Sequence, residues 1–251
     1  MTVAALARNL ELRLDPAALM RFSGLPPDPW QEELLRSPAK QILLCCSRQS
    51  GKSTTTAALA LNEALFRSNS LVLLLSPSQR QSAELFKKVC DFRSKIGVSV
   101  PVKEESALRI EFANGSRIVA LPGNEETIRG FSGVRLLVVD EAARVPDSLY
   151  FALRPMLAVS GGRLVCLSTP FGRRGFFFEE WTGNANWQRI QITANQCPRI
   201  SPEFLREERE SLGEWWYRQE YLCEFASNED GAFNSADIEA ALDPTLTPLF
   251  I

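Results

Sequence analysis

The sequence contains no histidine, and this absence excludes several kinds of catalytic site. Serine and cysteine hydrolases that depend on a histidine base cannot be built from this chain. Any catalysis must therefore use carboxylates, lysine or arginine.

Long hydrophobic runs are also missing. No stretch approaches the roughly 20 apolar residues that a membrane-spanning helix needs. The first residues, Met1 to Leu14, have neither the long apolar segment nor the small-residue cleavage site of a secretion signal. We therefore expect a protein without membrane contact that stays in the cytoplasm.

The six cysteines form no pair at metal-ligand spacing, and most lie inside apolar runs. Buried, reduced thiols are expected rather than disulfides or a zinc site. The formal net charge of -2 gives no overall attraction to nucleic acid, so any contact with DNA has to come from local patches.

Four continuous apolar runs predict buried parallel strands, because a strand with one solvated face would alternate apolar and polar residues. The strands are predicted at Ile42–Cys46, Leu71–Ser76, Leu136–Val139 and Leu164–Ser168. Apolar residues at three- and four-residue spacing predict packed crossover helices at Lys52–Phe66, Gln79–Lys95 and Pro146–Val159. The fold class is therefore α/β, with a central, mostly parallel sheet flanked by helices.

Three further segments do not follow this alternation of strands and crossover helices. Residues 108–121 alternate apolar and polar positions around Asn114-Gly115, which predicts an antiparallel β-hairpin. Residues 201–228 predict a helical lid with Phe204, Leu205 and Leu212 facing inward. We expect a core domain over 1–200, with a distinct N-terminal segment at 1–40, and a linker at 229–251.

A phosphate-binding loop is predicted between the first strand and the first crossover helix. The segment Cys46-Ser-Arg-Gln-Ser-Gly-Lys-Ser53 matches G-x-x-x-x-G-K-[ST], with Cys46 in place of the first glycine. Backbone N–H groups at the start of such a helix surround nucleotide phosphates, and the lysine reaches the terminal ones. A Gly-Lys-Ser triplet also arises by chance, but the flanking strand and helix argue against that here. The predicted ATP-binding residues are Arg48, Gln49, Ser50, Gly51, Lys52, Ser53 and Thr54, with Ser53 also a ligand of Mg²⁺.

The strand Leu136–Val139 delivers two adjacent carboxylates to its carboxyl end, where ligands of open parallel sheets bind. We predict that Asp140 holds Mg²⁺, either directly or through another ligand, and that Glu141 orients the attacking water as the general base. Acidic pairs after strands are common, and it is the combination with the phosphate loop that favours this interpretation.

Several other residues are candidates with an alternative explanation beside them. Ser168 and Thr169, at the end of another strand, could sense the terminal phosphate or simply cap a helix. Arg48 and Arg129 could neutralise charge on phosphate or lie solvated on the surface. Trp30 and Gln31 could contact adenine, although a buried Trp30 could equally anchor the N-terminal helix.

With these motifs in order, the chain resembles the ATPase domain of the large terminase subunit of tailed bacteriophages. The resemblance extends from Pro29-Trp30-Gln31 to Glu220-Tyr-Leu-Cys-Glu-Phe225, and the arginine inside the phosphate loop makes it more specific. It implies a P-loop NTPase of the ASCE type that hydrolyses ATP with Mg²⁺ and translocates double-stranded DNA into a procapsid. Family members usually carry a nuclease domain after the motor, and we do not assign such a site to Asp230, Asp237 or Asp243.

The resemblance also implies roles for individual residues and partners. Arg48 would contact phosphate, Arg129 would act on the ATP of a neighbouring subunit, and Ser168 with Thr169 would couple hydrolysis to movement. The implied partners are further copies of the chain in a ring, the portal protein and the small terminase subunit.

Two other function classes fit parts of the pattern. A DEAD-like helicase has a similar loop and Asp-Glu pair, but it needs a second RecA-like domain for which 251 residues leave no space. A nucleotide-binding assembly switch with little turnover would have no use for a positioned base such as Glu141.

Overall fold

The computed structural model describes residues 3–97, 100–123, 128 and 130–226. Within these residues the strands form one sheet in the order β3-β4-β5-β2-β6-β7-β1-β8. The strands are β1 (Gln41–Cys46), β2 (Leu71–Ser76), β3 (Val102–Glu105), β4 (Arg109–Phe112), β5 (Arg117–Pro122), β6 (Val134–Asp140), β7 (Arg163–Ser168) and β8 (Gln188–Ile192).

The centre of the sheet is parallel and one edge is antiparallel. Strand β2 pairs in parallel with β5 and β6, β6 with β7, and β1 with β7 and β8. Strand β4 pairs antiparallel with both β3 and β5. The predicted hairpin is thus confirmed, and its second strand is also a parallel neighbour of β2 in the main sheet.

Helices cover both faces of the sheet. They are α1 (Val3–Leu14), α2 (Ala18–Phe22), α3 (Pro29–Arg36), α4 (Lys52–Phe66), α5 (Gln79–Ile96), α6 (Asp147–Leu153), α7 (Gly175–Thr182), α8 (Pro202–Leu212) and α9 (Glu214–Glu220). No helix in the described part of the chain has the length and apolar character needed to cross a bilayer.

Alternate residues of each central strand point to opposite faces, so the sheet separates two apolar cores. On β1, for example, Leu44 packs into the core beneath α4 and α5, whereas Leu43 packs into the core beneath α6 and α7. Every residue of β2 is buried. This double burial explains why the central strands have continuous apolar sequences.

The four predicted strands and the helices α4 and α5 are confirmed, with ends that differ by at most two residues. The predicted helix Pro146–Val159 is too long, because α6 ends at Leu153 and a 3-10 turn continues over Arg154–Leu157. Pro155 lacks the backbone N–H that an α-helix would need at this point, and its ring obstructs the preceding turn.

The C-terminal segment is helical, as predicted, and its two helices pack through Leu205, Tyr217 and Tyr221. Leu212 is predicted to face inward but is 41% exposed, because α8 ends there and Gly213 turns the chain with φ 77°. The lid residues 227–228 and the predicted linker 229–251 lie outside the described residues.

Candidate functional site

The predicted functional motifs meet at the carboxyl ends of three adjacent strands. Strand β7 lies between β1, which leads into the phosphate loop, and β6, which carries the acidic pair. This order brings the pair Ser168-Thr169 between the other two motifs. Carboxyl ends of parallel strands are the usual ligand-binding edge of an open α/β sheet.

The phosphate loop has the backbone geometry of a tight turn into a helix. Gln49 and Gly51 both have positive φ, at 57° and 93°, and α4 begins at Lys52. The loop is fixed to its surroundings by backbone hydrogen bonds from Ser47 N to Ile192 O (2.9 Å) and from Arg48 N to Glu220 O (3.2 Å). Cys46, at the position of the usual first glycine, is the buried last residue of β1.

The first helical residues of α4 face the acidic pair at the end of β6. Ser53 Oγ donates a hydrogen bond to Asp140 Oδ2 at 2.9 Å, and Lys52 Nζ lies 3.8 Å from Glu141 Oε1. Lys52 is only 8% exposed. The structure therefore joins the two motifs that the sequence predicts to act together.

Burial of the Asp140 carboxyl, reinforced by the adjacent Glu141 charge, raises its pKa to about 6. Lys52, the hydrogen bond from Ser53 and the backbone N–H of Glu141 oppose this shift without cancelling it. The negative charge of Asp140 is thus incompletely compensated by the protein.

Glu141 adopts a left-handed backbone conformation with φ 53°, which is uncommon for a residue other than glycine. The turn directs its carboxylate back to the cavity at the strand ends. Arg144 Nη1 donates to Glu141 Oε2 at 2.8 Å, so the carboxylate lies between this guanidinium and Lys52.

Arg144 is a residue of the site that the sequence did not identify. Besides Glu141, it donates hydrogen bonds to Thr169 Oγ1 (3.3 Å) and Glu220 Oε1 (3.3 Å). Its guanidinium also lies 4.8 Å from the ring centre of Phe171. The signal available in the sequence was a basic residue three positions after the acidic pair, in the turn that follows the strand.

Glu220, the last residue of α9, was also missed. It is 4% exposed, and its Oε2 accepts a hydrogen bond from Arg48 Nε at 2.8 Å while Oε1 contacts Arg144. The lid therefore reaches into the site through one carboxylate shared by two arginines. Nothing in the local sequence distinguishes Glu220 from the solvated glutamates of α8.

Thr169 and Ser168 lie at the end of β7, but their hydroxyls differ in environment. Thr169 Oγ1 accepts from Arg144, whereas Ser168 Oγ is buried and makes no hydrogen bond within the described part of the chain. Neither hydroxyl caps the following helix, because α7 begins only at Gly175 and has no side-chain cap. Their predicted coupling role stays a prediction.

The adenine-side candidates occupy two different environments. Trp30 packs into the core beneath α4 and is 8% exposed, as expected of a residue that anchors α3. Gln31 Oε1 accepts from Asp28 N at 2.8 Å, and its amide nitrogen lies beside Gly51. Contact of either residue with adenine stays a prediction.

The site surrounds an open cavity of about 370 Å³ next to the loop. Predicted and missed residues both line it: Arg48, Gln49, Lys52, Gln81, Glu141, Arg144 and Thr169. Of the other predicted loop residues, Ser50 is fully buried and Thr54 Oγ1 accepts from Lys88 Nζ at 3.5 Å. Arg129 lies outside the described residues, and its role stays a prediction.

Comparison with known proteins identifies similar sequences. A family model described as terminase large subunit, T4likevirus-type, N-terminal, matches residues 43–240. The terminase large subunit of Thermus phage G20c is 28% identical over 266 residues, which cover 90% of this chain and 54% of the relative. That of Escherichia phage T5 is 26% identical over 237 residues, which cover 89% and 53%. The chain spans about half the length of the curated relatives it matches.

Solved structures share the fold. The large terminase ATPase domain of Thermus phage P74-26 gives a TM-score of 0.73 at 22% identity, covering 82% of this chain and 97% of that one. The large terminase of a thermophilic bacteriophage, in complex with ATP-γ-S, gives 0.66 at 14% identity, covering 80% and 53%. At these identities the likeness establishes the fold class predicted from the sequence.

Proposed function

The chain belongs to the terminase large subunit family, T4likevirus-type, N-terminal part, and on that premise we propose that it hydrolyses ATP to translocate double-stranded DNA. The observation that carries the proposal is one cavity lined by the phosphate-loop lysine, Lys52, and the candidate base, Glu141. Two of the similar solved structures are consistent with it: one is described as a large terminase ATPase domain, and the other is a large terminase in complex with ATP-γ-S.

The phosphate loop would bind the nucleotide. The N–H groups at the start of α4 favour anionic oxygens, and Lys52 and Arg48 add positive charge beside the same cavity. Arg48 is paired with Glu220 in this structure, and a terminal phosphate would compete for its guanidinium.

The donor set at the head of α4 fits Mg²⁺. Ser53 and Asp140 offer a hydroxyl and a carboxylate oxygen, the hard ligands that Mg²⁺ prefers, and the raised pKa of Asp140 marks a buried charge that a cation would compensate. When bound with ATP, Mg²⁺ would neutralise charge on the phosphate oxygens.

Glu141 would accept the proton of the attacking water. In this structure its carboxylate is held by two cations, Lys52 and Arg144, and both are groups that phosphate attracts. Once these cations turn toward phosphate, the carboxylate has a free oxygen for water. Thr169, which shares Arg144 with Glu141, would then respond to the same rearrangement and couple it to movement.

Assembly would complete the site. By family resemblance, Arg129 acts on the ATP of a neighbouring copy within a ring, and the portal protein and the small terminase subunit are the expected partners. Such an arginine stabilises charge that develops on the transferred phosphoryl group.

Release of phosphate from ATP tests the proposal. The parent chain with Mg²⁺ should release phosphate, and linear double-stranded DNA should increase the rate. Lys52→Ala should lower kcat/KM by about 100-fold or more, since it removes charge at the phosphates. The control Lys103→Ala changes an exposed lysine on the edge strand β3 and should leave kcat/KM unchanged. Nucleotide binding without phosphate release, at any DNA or protein concentration, would instead identify a nucleotide-dependent switch.

A further inference from the structure

Arg199 contacts the phosphate loop from outside the cavity. Its guanidinium donates to both carboxylate oxygens of Asp28, at 2.9 and 2.7 Å, and Nη2 also donates to the carbonyl oxygen of Ser50 at 3.0 Å. The residues lining the cavity do not include Arg199 or Asp28. Arg199 is therefore placed to act on the loop rather than on a group bound in the cavity.

The carbonyl of Ser50 belongs to the same peptide unit as the N–H of Gly51. In a planar trans peptide these two groups point in opposite directions, so fixing the carbonyl also fixes the N–H. Gly51 has φ 93° and no Cβ, and a glycine has a wide conformational range. The external hydrogen bond from Arg199 therefore restricts the orientation of a peptide that glycine alone would leave free.

The same arginine connects the loop to α3. Asp28, its ion-pair partner, is the N-cap residue of α3: its backbone carbonyl accepts from Gln31 N at 2.9 Å, and its backbone N–H donates to the side-chain Oε1 of Gln31 at 2.8 Å. The Gln31 amide nitrogen lies 2.7 Å from where a Cβ of Gly51 would be. A planar guanidinium can serve the Asp28 carboxylate and the Ser50 carbonyl together, which a single ammonium group cannot do with the same geometry.

We propose that Arg199 is a positioning residue for nucleotide binding, which holds the Ser50–Gly51 peptide so that the Gly51 N–H faces the phosphates. This role rests on the proposed function. The N–H groups of such a loop bind phosphates that ATP and ADP share. Loss of Arg199 should therefore weaken the binding of ATP and of ADP by the same factor and leave the chemical step largely intact.

Titration of Arg199→Ala with fluorescent ATP and ADP analogues tests this role. The Kd for each should rise about tenfold, the effect expected for one hydrogen bond to a charged donor. The kcat at saturating ATP should stay close to that of the parent. The Kd values of Arg199→Lys should lie between those of the parent and of Arg199→Ala, because lysine keeps the charge and loses the planar fork. Arg206→Ala serves as the control, since it removes an exposed arginine of α8 whose ion pair, with Glu203, is remote from the loop.

The thermal unfolding midpoint without nucleotide, measured for each variant, separates positioning from stability. A lowered midpoint with unchanged Kd values would overturn the proposal. So would a variant whose affinity falls for ATP but not for ADP, or one in which only kcat falls. If Arg199→Ala does not fold, the lysine variant carries the same comparison. If the parent chain itself does not bind ATP, the proposed function is refuted. If the parent binds ATP and the Arg199→Ala variant binds it equally well, only the role of Arg199 is refuted.

Discussion

Gly51 is the position in the phosphate loop where a side chain meets both a close neighbour and a positive φ. A Cβ at this position would lie 2.7 Å from Gln31 Nε2 and 3.4 Å from Arg199 Nη2, and φ is 93°. The end of the Gln31 side chain would have to shift, and Arg199, which fixes the loop, would be in contact with the new Cβ. The cost of a side chain here is therefore both steric and conformational.

We predict that Gly51→Ala raises the Kd for ATP by about tenfold or more, because the loop can no longer keep its N–H groups around the phosphates. Equilibrium binding of a fluorescent ATP analogue measures it. Gly97→Ala is the matched control, since Gly97 also has positive φ, at 61°, but no atom would lie within 4 Å of its Cβ. Equal affinities of parent and Gly51→Ala would contradict the account of the loop.

At the scale of single residues, the sequence predicts those whose chemistry is contained in a short segment. The loop from Cys46 to Ser53 and the pair Asp140-Glu141 are contiguous, and each follows an apolar strand. Arg144 and Glu220 could not be predicted together because 76 positions separate them. The Arg199 contact with Ser50 spans 149 positions, and only the folded chain brings the two together.

The helix α9 is the element that connects the lid to the site. Glu220 at its end pairs with Arg48 and Arg144, and Gln219 Oε1 accepts from the backbone N–H of Gly172, beyond the end of β7. Two adjacent side chains of α9 thus contact the loops after β1, β6 and β7. A change in the charge around Arg48 and Arg144 therefore alters their ion pairs with Glu220, which belongs to the lid.

Replacement of Glu220 by glutamine should loosen this connection. The amide keeps the size of the side chain but removes the charge shared by two guanidiniums, so we expect the free energy of unfolding to fall by about 1–2 kcal/mol, with the exposed Arg48 limiting the loss. Urea denaturation measures this, and hydrogen exchange should become faster over residues 214–223.

The control for this change is Glu207→Gln, at an exposed position of α8. It should alter neither the unfolding free energy nor the exchange of α9. If Glu220→Gln exchanges and unfolds like the parent, the lid is held by its apolar contacts alone.

Among the elements, the sequence predicts those buried on both faces and misses those at the edges. The central strand β2 is a continuous apolar run, whereas the edge strands β3 and β8 have the sequences Val-Lys-Glu-Glu and Gln-Arg-Ile-Gln-Ile. Pairing with a neighbour, rather than local pattern, makes these segments strands. The early end of the helix after Pro146 has a local cause, because Pro155 is close enough in the sequence to interrupt it.

At the scale of the whole molecule, the strand order determines what the motifs can do. The order β6-β7-β1 inserts Ser168-Thr169 between the acidic pair and the phosphate loop, and Arg144 contacts Glu141 and Thr169 at once. The sequence predicts that these motifs share one edge of a parallel sheet. It does not contain the order of the strands, which depends on the packing of the complete sheet.

The central claim is that binding and hydrolysis of ATP use separate groups of one site, and Glu141→Gln tests it most directly. The variant and the parent are incubated with Mg²⁺ and ATP, separated from free nucleotide, and their bound nucleotide is identified by chromatography. The account predicts intact ATP on Glu141→Gln, with the affinity of the parent, and ADP on the parent. ADP formed by Glu141→Gln at the parent rate, or no nucleotide bound by it, would contradict the claim.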